Sequence, residues 1–285
     1  MKRILMIGTG GTIASEMGGD GLTPELTTEQ LLSFVPSVGK ECHVDCVQLY
    51  SLDSTSIEPK HWVGVAKTIQ EKYDDYDGFV ITHGTDTMAY ASAMLYYLIQ
   101  NSQKPIVLTG SQISISERDT DARDNLLQAF RYAADPDACG VHIVFDGKII
   151  AATRARKTHT KSFNAFSSIN YPYKATIENG EIKRTFIEIK PQGETEFYYN
   201  MSDSICTLKF TPNMKPQILS YLFKNYDCLI FESFGVGGIP EYLLESFYEE
   251  MQKPSEKIKC VVITTQIANE GSDMEIYAVG KKVKE

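Results

Sequence analysis

Long apolar runs are missing from this chain. Nothing approaches the roughly 20 consecutive apolar residues that a membrane span needs, and the N-terminus offers only Ile4-Leu5-Met6-Ile7 behind Lys2 and Arg3. That is the length of a buried strand and too short for the core of a signal peptide, so a cytoplasmic protein without a membrane partner is expected. Positive charge is also scarce: 28 Lys and Arg stand against 37 Asp and Glu, a net charge of −9. Such a balance argues against holding nucleic acid by neutralising phosphates and otherwise speaks to solubility. Cys42, Cys46, Cys139, Cys206, Cys228 and Cys260 contain no Cys-x-x-Cys pair. In a chain of this length they read as reduced thiols and not as a disulfide framework. His43, His61, His83, His142 and His159 show no ligand spacing such as His-x-x-x-His, so no metal is expected.

What the chain has is alternation. Strand-like runs at Lys2–Ile7, Val44–Leu49, Phe79–Thr82 and Ile106–Leu108 are separated by helical patterns opening at Thr27-Thr28-Glu29 and spanning Pro59–Tyr73, Asp86–Ile99 and Asp121–Ala134. Met88, Ala91, Leu95 and Leu98 recur at helical spacing. Val141–Phe145 and Ile149–Ala152 flank Asp146-Gly147, a hairpin signal. Short apolar strands alternating with helices predict an α/β protein with a mostly parallel sheet covered on both faces. The polar stretch Lys183–Ser202, with Pro191-Gln192-Gly193, reads as a linker. A second alternating set follows: strands at Ile205–Phe210, Cys228–Glu232 and Cys260–Thr264, with helices at Pro216–Phe223 and Glu241–Met251. The expected organisation is a larger N-terminal domain over 1–190, a linker over 191–202 and a smaller α/β domain over 203–285.

Two glycine turns at strand ends present threonines: Gly8-Thr9-Gly10-Gly11-Thr12-Ile13 and His83-Gly84-Thr85-Asp86-Thr87. Ligands of open α/β sheets bind beyond the carboxyl ends of the strands, which is where both turns and Thr109-Gly110-Ser111 fall. The first turn begins a Gly-x-Gly-x-x-Gly pattern, but its last position is Ile13 and the polar, glycine-rich segment Ser15–Gly21 follows, read as a mobile loop where a dinucleotide site would need a helix. No cofactor is expected. Each residue also has a plain reading. Thr85 would cap the following helix, and Asp86 in a first helical turn is favoured by the helix dipole. Lys157, in Thr153-Arg154-Ala155-Arg156-Lys157, would belong to a solvated basic edge. Extended geometry puts Thr153, Ala155 and Lys157 on one side of that segment, where a desolvated lysine serves as a base toward a threonine hydroxyl. Asp53-Ser54-Thr55 is a fourth contact candidate, or an ordinary Asx turn.

The strings Thr9-Gly10-Gly11-Thr12-Ile13-Ala14, His83-Gly84-Thr85-Asp86-Thr87-Met88, Leu108-Thr109-Gly110-Ser111-Gln112 and Arg156-Lys157-Thr158-His159 resemble those of the bacterial-type L-asparaginases, most closely the cytoplasmic (type I) branch. The likeness runs through Phe234-Gly235-Val236-Gly237-Gly238-Ile239-Pro240 in the second domain. It implies hydrolysis of L-asparagine to aspartate and ammonia without a cofactor. By position, it implies Thr12 as the nucleophile that forms an acyl-enzyme. Thr85, Asp86 and Lys157 form a second constellation, with Asp86 also pairing the substrate ammonium. Asp53, Ser54, Thr55, Gly84 and Ser111 are the implied substrate-binding positions.

Three features depart from the family pattern. The segment Gly21-Leu22-Thr23-Pro24 carries Leu22 where many members place a tyrosine, so the partner of the Thr12 hydroxyl stays open. Phe231-Glu232-Ser233 lacks the arginine that precedes the Gly-Val-Gly motif in allosteric members. The family continues past the position of Glu285, so a shortened second domain is expected. The resemblance also implies a homo-oligomer, a dimer or a tetramer of paired subunits, with Asn269 and Glu270 placed to reach a neighbour's site. The alternatives are a broader asparaginase–glutaminase and a non-catalytic amino-acid-binding protein that keeps the pocket. A tRNA-dependent amidotransferase subunit shares the motifs but is expected to carry an extra N-terminal domain ahead of the first threonine turn.

Overall fold

The computed structural model describes residues 1–19, 21–187, 189–253, 260–276 and 280. Tertiary contacts divide the chain into two units, Met1–Tyr199 and Asn200–Glu285.

In the first unit the apolar N-terminal run forms β1 (Arg3–Gly10), followed by a 3-10 turn over Thr12–Ala14 and a hairpin of β2 (Ser15–Gly18) and β3 (Gly21–Pro24). Helix α1 (Thr28–Ser33) opens with a capping box between Thr27 and Gln30. β4 (His43–Leu52), α2 (Pro59–Lys72), β5 (Gly78–Thr82) and α3 (Met88–Leu98) come next, then β6 (Ile99–Gln100), β7 (Pro105–Thr109), α4 (Ala122–Ala134), β8 (Gly140–Phe145) and β9 (Lys148–Ala151). The unit continues through β10 (Ala155–Lys157), β11 (Phe166–Ser168), β12 (Ala175–Glu178), β13 (Glu181–Arg184) and β14 (Glu196–Phe197).

Eight strands form one sheet in the order β13-β12-β9-β8-β7-β5-β1-β4. β4, β1, β5, β7 and β8 run parallel, and β9, β12 and β13 continue the sheet antiparallel. Alternation along the strands sends Ile4, Met6, Val80, Val107 and Val144 into a core shared with Leu31 of α1 and Leu126 and Phe130 of α4. Leu5, Ile7, Phe79, Ile81, Ile106 and Leu108, equally buried, project to the opposite face. Strands buried on both faces explain the continuous apolar runs in the sequence. The chain passes from β1 outward to β4, then back across β1 to β5. The strand order therefore reverses between β1 and β5, and such a switch point leaves a crevice at the carboxyl ends.

Several local expectations are revised. The segment read as a mobile loop after Thr12 is the β2–β3 hairpin, in register from Ser15 opposite Pro24 to Gly18 opposite Gly21. It is tied to the 3-10 turn by Glu25 N–H and Leu26 N–H donating to the Ala14 carbonyl. Helix α3 begins at Met88, two residues after Asp86, and neither Thr85 nor Asp86 caps it. Strands β12 and β13 are four residues each, too short for a period to stand out in the sequence, although Ala175 and Ile177 of β12 alternate into the core. Within the stretch read as linker, Glu196 and Phe197 pair with Gln100 and Ile99. The Asp146-Gly147 hairpin has both residues at positive φ (49° and 71°), as a tight primed turn requires.

In the second unit β15 (Ile205–Lys209), β16 (Cys228–Ser233) and β17 (Cys260–Thr265) form a parallel sheet in that order. Helices α5 (Gln217–Asn225) and α6 (Glu241–Gln252) pack on the face carrying Leu229 and Phe231, with Leu219, Phe223, Leu243 and Phe247 filling the core.

Candidate active site

Backbone approaching backbone builds this site. Gly10 and Gly11 hold φ of 102° and 83°, a region that glycine enters without strain. A Cβ on Gly10 would lie 2.4 Å from the Leu52 nitrogen and oxygen, and one on Gly11 would lie 2.3 Å from the Gly84 nitrogen. A Cβ on Gly84 would in turn lie 2.6 Å from both Cβ and Oγ of Ser54. The ends of β1, β4 and β5 thus meet at the switch point, bringing the Thr12 turn, Ser54 and the Thr85 turn together. Gly110, after β7, closes on the same group, since its Cβ would sit 2.3 Å from the His83 carbonyl oxygen.

Thr12 is half-buried and opens its 3-10 turn. Its hydroxyl and its N–H make no hydrogen bond among the described residues. Thr85 is 4% exposed, and its hydroxyl has two partners. Lys157 Nζ, brought in by the β10–β11 hairpin, donates to Thr85 Oγ1 and to Asp86 Oδ1, both at 2.7 Å. Thr85 Oγ1 donates to Gln112 Oε1 at 3.1 Å. The Lys157 side chain is 17% exposed against 57% for Asp86, so the carboxylate faces outward while the ammonium sits beneath it. The plain readings therefore give way: Thr85 does not cap α3, and Lys157 is not a solvated edge cation.

His83 lies under this turn, 2% exposed. Its Nδ1 is 2.8 Å from the Gly84 carbonyl oxygen. A carbonyl only accepts, so Nδ1 carries the hydrogen. Burial pushes the imidazole pKa down and keeps it neutral, against the smaller opposing effect of that hydrogen bond. In a trans peptide the N–H points opposite to the C=O, so the Thr85 N–H is turned away from His83. It too lacks a partner among the described residues. The site edge thus presents two unpaired backbone donors, at Thr12 and Thr85.

The remaining sequence-derived positions separate. Ser54 is buried against Gly84. Asp53 and Thr55 are exposed and bond to each other: Asp53 Oδ1 accepts from Thr55 N at 2.8 Å and from Thr55 Oγ1 at 2.5 Å, forming the Asx turn. Ser111 is buried, and its hydroxyl donates to the Ile113 carbonyl of its own loop. Asn269 and Glu270 lie in the turn after β17 in the second unit. Gln112 and His83 belong to strings quoted above, yet nothing local announces their bonds. Asp121 carries no motif signal at all. It accepts from Gln112 N at 3.0 Å and from Ile113 N at 3.1 Å, holding the loop after β7.

Residues 3–187 match the family described as Asparaginase, N-terminal, and residues 204–285 match the Glutaminase/Asparaginase C-terminal domain. The chain is 35% identical to an L-asparaginase of Thermococcus kodakarensis over 99% of this chain and 86% of that protein. The solved structure of the thermostable L-asparaginase from Thermococcus kodakarensis superposes with a TM-score of 0.90, covering 99% of this chain and 85% of that one. L-asparaginase 1 of Escherichia coli is 33% identical over 98% of this chain and 84% of its own length. A probable cytoplasmic L-asparaginase from Campylobacter jejuni shares the fold at a TM-score of 0.81 and 25% identity, covering 94% of this chain and 84% of that one.

Proposed function

The chain belongs to the asparaginase family and hydrolyses L-asparagine, and we propose that it does so through Thr12 as nucleophile, with Thr85, Asp86 and Lys157 as the second catalytic group. The observation that carries this reading is the packing of the Gly11-Thr12 turn directly against Gly84-Thr85, beside a lysine that bonds both Thr85 and Asp86.

The substrate is a zwitterion ending in a neutral amide. Asp86, half in solvent, pairs with the α-ammonium. The Ser54 hydroxyl and neighbouring N–H groups receive the α-carboxylate, and Gly84, whose missing Cβ lets Ser54 close on it, lines the side chain with its backbone. The Thr12 oxygen adds to the amide carbon, the C–N bond breaks, and the hydroxyl proton leaves with the nitrogen as ammonia. Water then hydrolyses the ester, releasing aspartate and restoring the hydroxyl. A threonine hydroxyl is protonated at neutral pH and needs a base within reach. The Thr85–Lys157 pair is the group placed for that task. The unpaired N–H groups of Thr12 and Thr85 supply donors for the oxyanion, and each such donor contributes about 2.7–4 kcal/mol in comparable hydrolases.

Ammonia release from L-asparagine should fall by roughly 10³-fold or more in Thr12→Ala, with circular dichroism unchanged. Undiminished release removes Thr12 from the role. Comparing kcat/KM for asparagine and glutamine decides the breadth of the amide specificity. The Campylobacter relative, a probable cytoplasmic L-asparaginase, supports a cytoplasmic enzyme, and the family resemblance supports assembly as a dimer or tetramer.

A further inference from the structure

We propose that Cys228 and Cys260 form a reversible dithiol–disulfide site on the exposed face of the second unit's sheet, oxidised by exchange with a low-molecular-weight disulfide. The pair belongs to the second unit, whereas Thr12 and Thr85 belong to the first, and the proposal does not depend on the reaction assigned to them.

Strand register brings the two thiols together. β16 and β17 run parallel, and Cys228 stands directly opposite Cys260, each the first residue of its strand. Side chains of residues in register project to the same face of a sheet. Leu229 and Phe231 alternate inward to α5 and α6, so the two cysteines stand on the other face. That face is open: Ile205, opposite Cys228 on β15, is 47% exposed, and Val262 is 43% exposed. Neighbouring strands lie about 4.8 Å apart, within the roughly 4.4–6.8 Å between Cα atoms that a disulfide spans. The thiols are close enough to perturb each other. Burial, and then the neighbouring Cys260 thiol, push Cys228 above the ordinary thiol value.

Exposure makes the pair selective. Of the six cysteines, Cys260 alone is exposed. Cys42 and Cys139 are buried, and burial pushes the Cys42 thiol up to about 12 and the Cys46 thiol up to about 11. The thiolate is the attacking form, so such thiols react slowly. Cys206 packs against the core on the opposite face of the sheet. Exchange therefore begins at Cys260. Its thiolate attacks one sulfur of the external disulfide, the external S–S bond breaks, and a small thiolate leaves and takes up the proton that Cys260 gave. Cys228 then gives up its proton and attacks the Cys260 sulfur of the mixed disulfide. The second small thiolate leaves and takes up that proton. The external disulfide has gained two electrons and two protons, and the two cysteines have lost them. The new bond joins two strands separated along the chain by α6, and the loop it closes restricts the unfolded chain.

The test is mass spectrometry of the folded full chain after incubation with glutathione disulfide, with the remaining thiols blocked by N-ethylmaleimide before digestion. The native chain should lose two hydrogens and yield a peptide pair joined through Cys228 and Cys260, which dithiothreitol separates. Cys228→Ser should stop with one glutathione on Cys260, because no second thiol resolves the mixed disulfide. Cys260→Ser should take up glutathione at Cys228 about tenfold more slowly than Cys228→Ser does at Cys260, because the exposed thiol is gone. A native chain that stays reduced, keeps glutathione on Cys260 without the joined pair, or joins other cysteines to the same extent overturns the proposal. So does equal uptake by the two serine variants. Where a serine variant loses its native circular dichroism, Cys228→Ala or Cys260→Ala is read in its place, and the result on the native chain stands by itself.

Discussion

At the scale of a single residue, His83 shows how a side chain outside the reaction shapes it. Its neutral, buried imidazole holds the Gly84 carbonyl and thereby sets the direction of the Thr85 N–H. Protonation is resisted in the folded chain, because burial disfavours the cation. Above the ordinary histidine value near pH 6.5 both folded and unfolded chains carry a neutral ring, and His83 adds no penalty. As the pH falls below it, the unfolded chain takes up a proton that the folded chain resists, and stability is lost through the lower folded value. Denaturant unfolding between about pH 6.5 and 5 should therefore show a steeper loss of stability in the native chain than in His83→Asn. The asparagine retains a donor for Gly84 and cannot titrate. Equal slopes would contradict a neutral buried ring at this position. Thr12 illustrates the reverse case: the sequence points to it and, through Leu22, already leaves its hydroxyl partner open, and in the fold that hydroxyl makes no hydrogen bond among the described residues.

At the scale of elements, glycine turns at strand ends decide the geometry. Gly11 is held at a φ of 83°, with the Gly84 backbone where a methyl group would lie. Gly11→Ala should destabilise the chain by on the order of 3 kcal/mol, since neither strain nor clash can relax into a side chain. It should also lower kcat about 100-fold, the typical cost of misplacing a catalytic group by about an ångström. Thermal unfolding and steady-state kinetics check the two parts, and a fully stable, fully active Gly11→Ala would show that the two turns do not need this approach. The strand and helix order of both units is readable from apolar runs and periodicity. The β2–β3 hairpin and the β12–β13 pair are not, because each strand is only four residues long, too short for a period to stand out, although Ala175 and Ile177 of β12 do alternate into the core.

For the whole molecule, two cores act as separate sources of stability. The second unit depends on a small cluster around Phe231, which is fully buried between Phe210 and Phe247. Phe231→Ala should cost about 3–5 kcal/mol, and hydrogen exchange should locate the loss in β15, β16 and β17. Protection of β1, β5 and β7, whose contacts lie in the other core, should persist. A uniform loss across both units would contradict two separate cores.

The sequence alone determined the α/β class, the order of elements and the two threonine turns. These rest on local physics: short apolar runs bounded by glycine, and helical spacing between them. By parity it set Lys157 on the side of its segment away from Arg154 and Arg156, and it placed Ser54 after a strand end. Tertiary structure decided which of these groups meet. The strand reversal between β1 and β5, the seating of Ser54 on Gly84, and the bonds of Gln112 to Thr85 and of Asp121 to Gln112 join residues far apart along the chain. Such pairings leave no period and no local signature in the sequence, because they depend on where the sheet order turns back on itself.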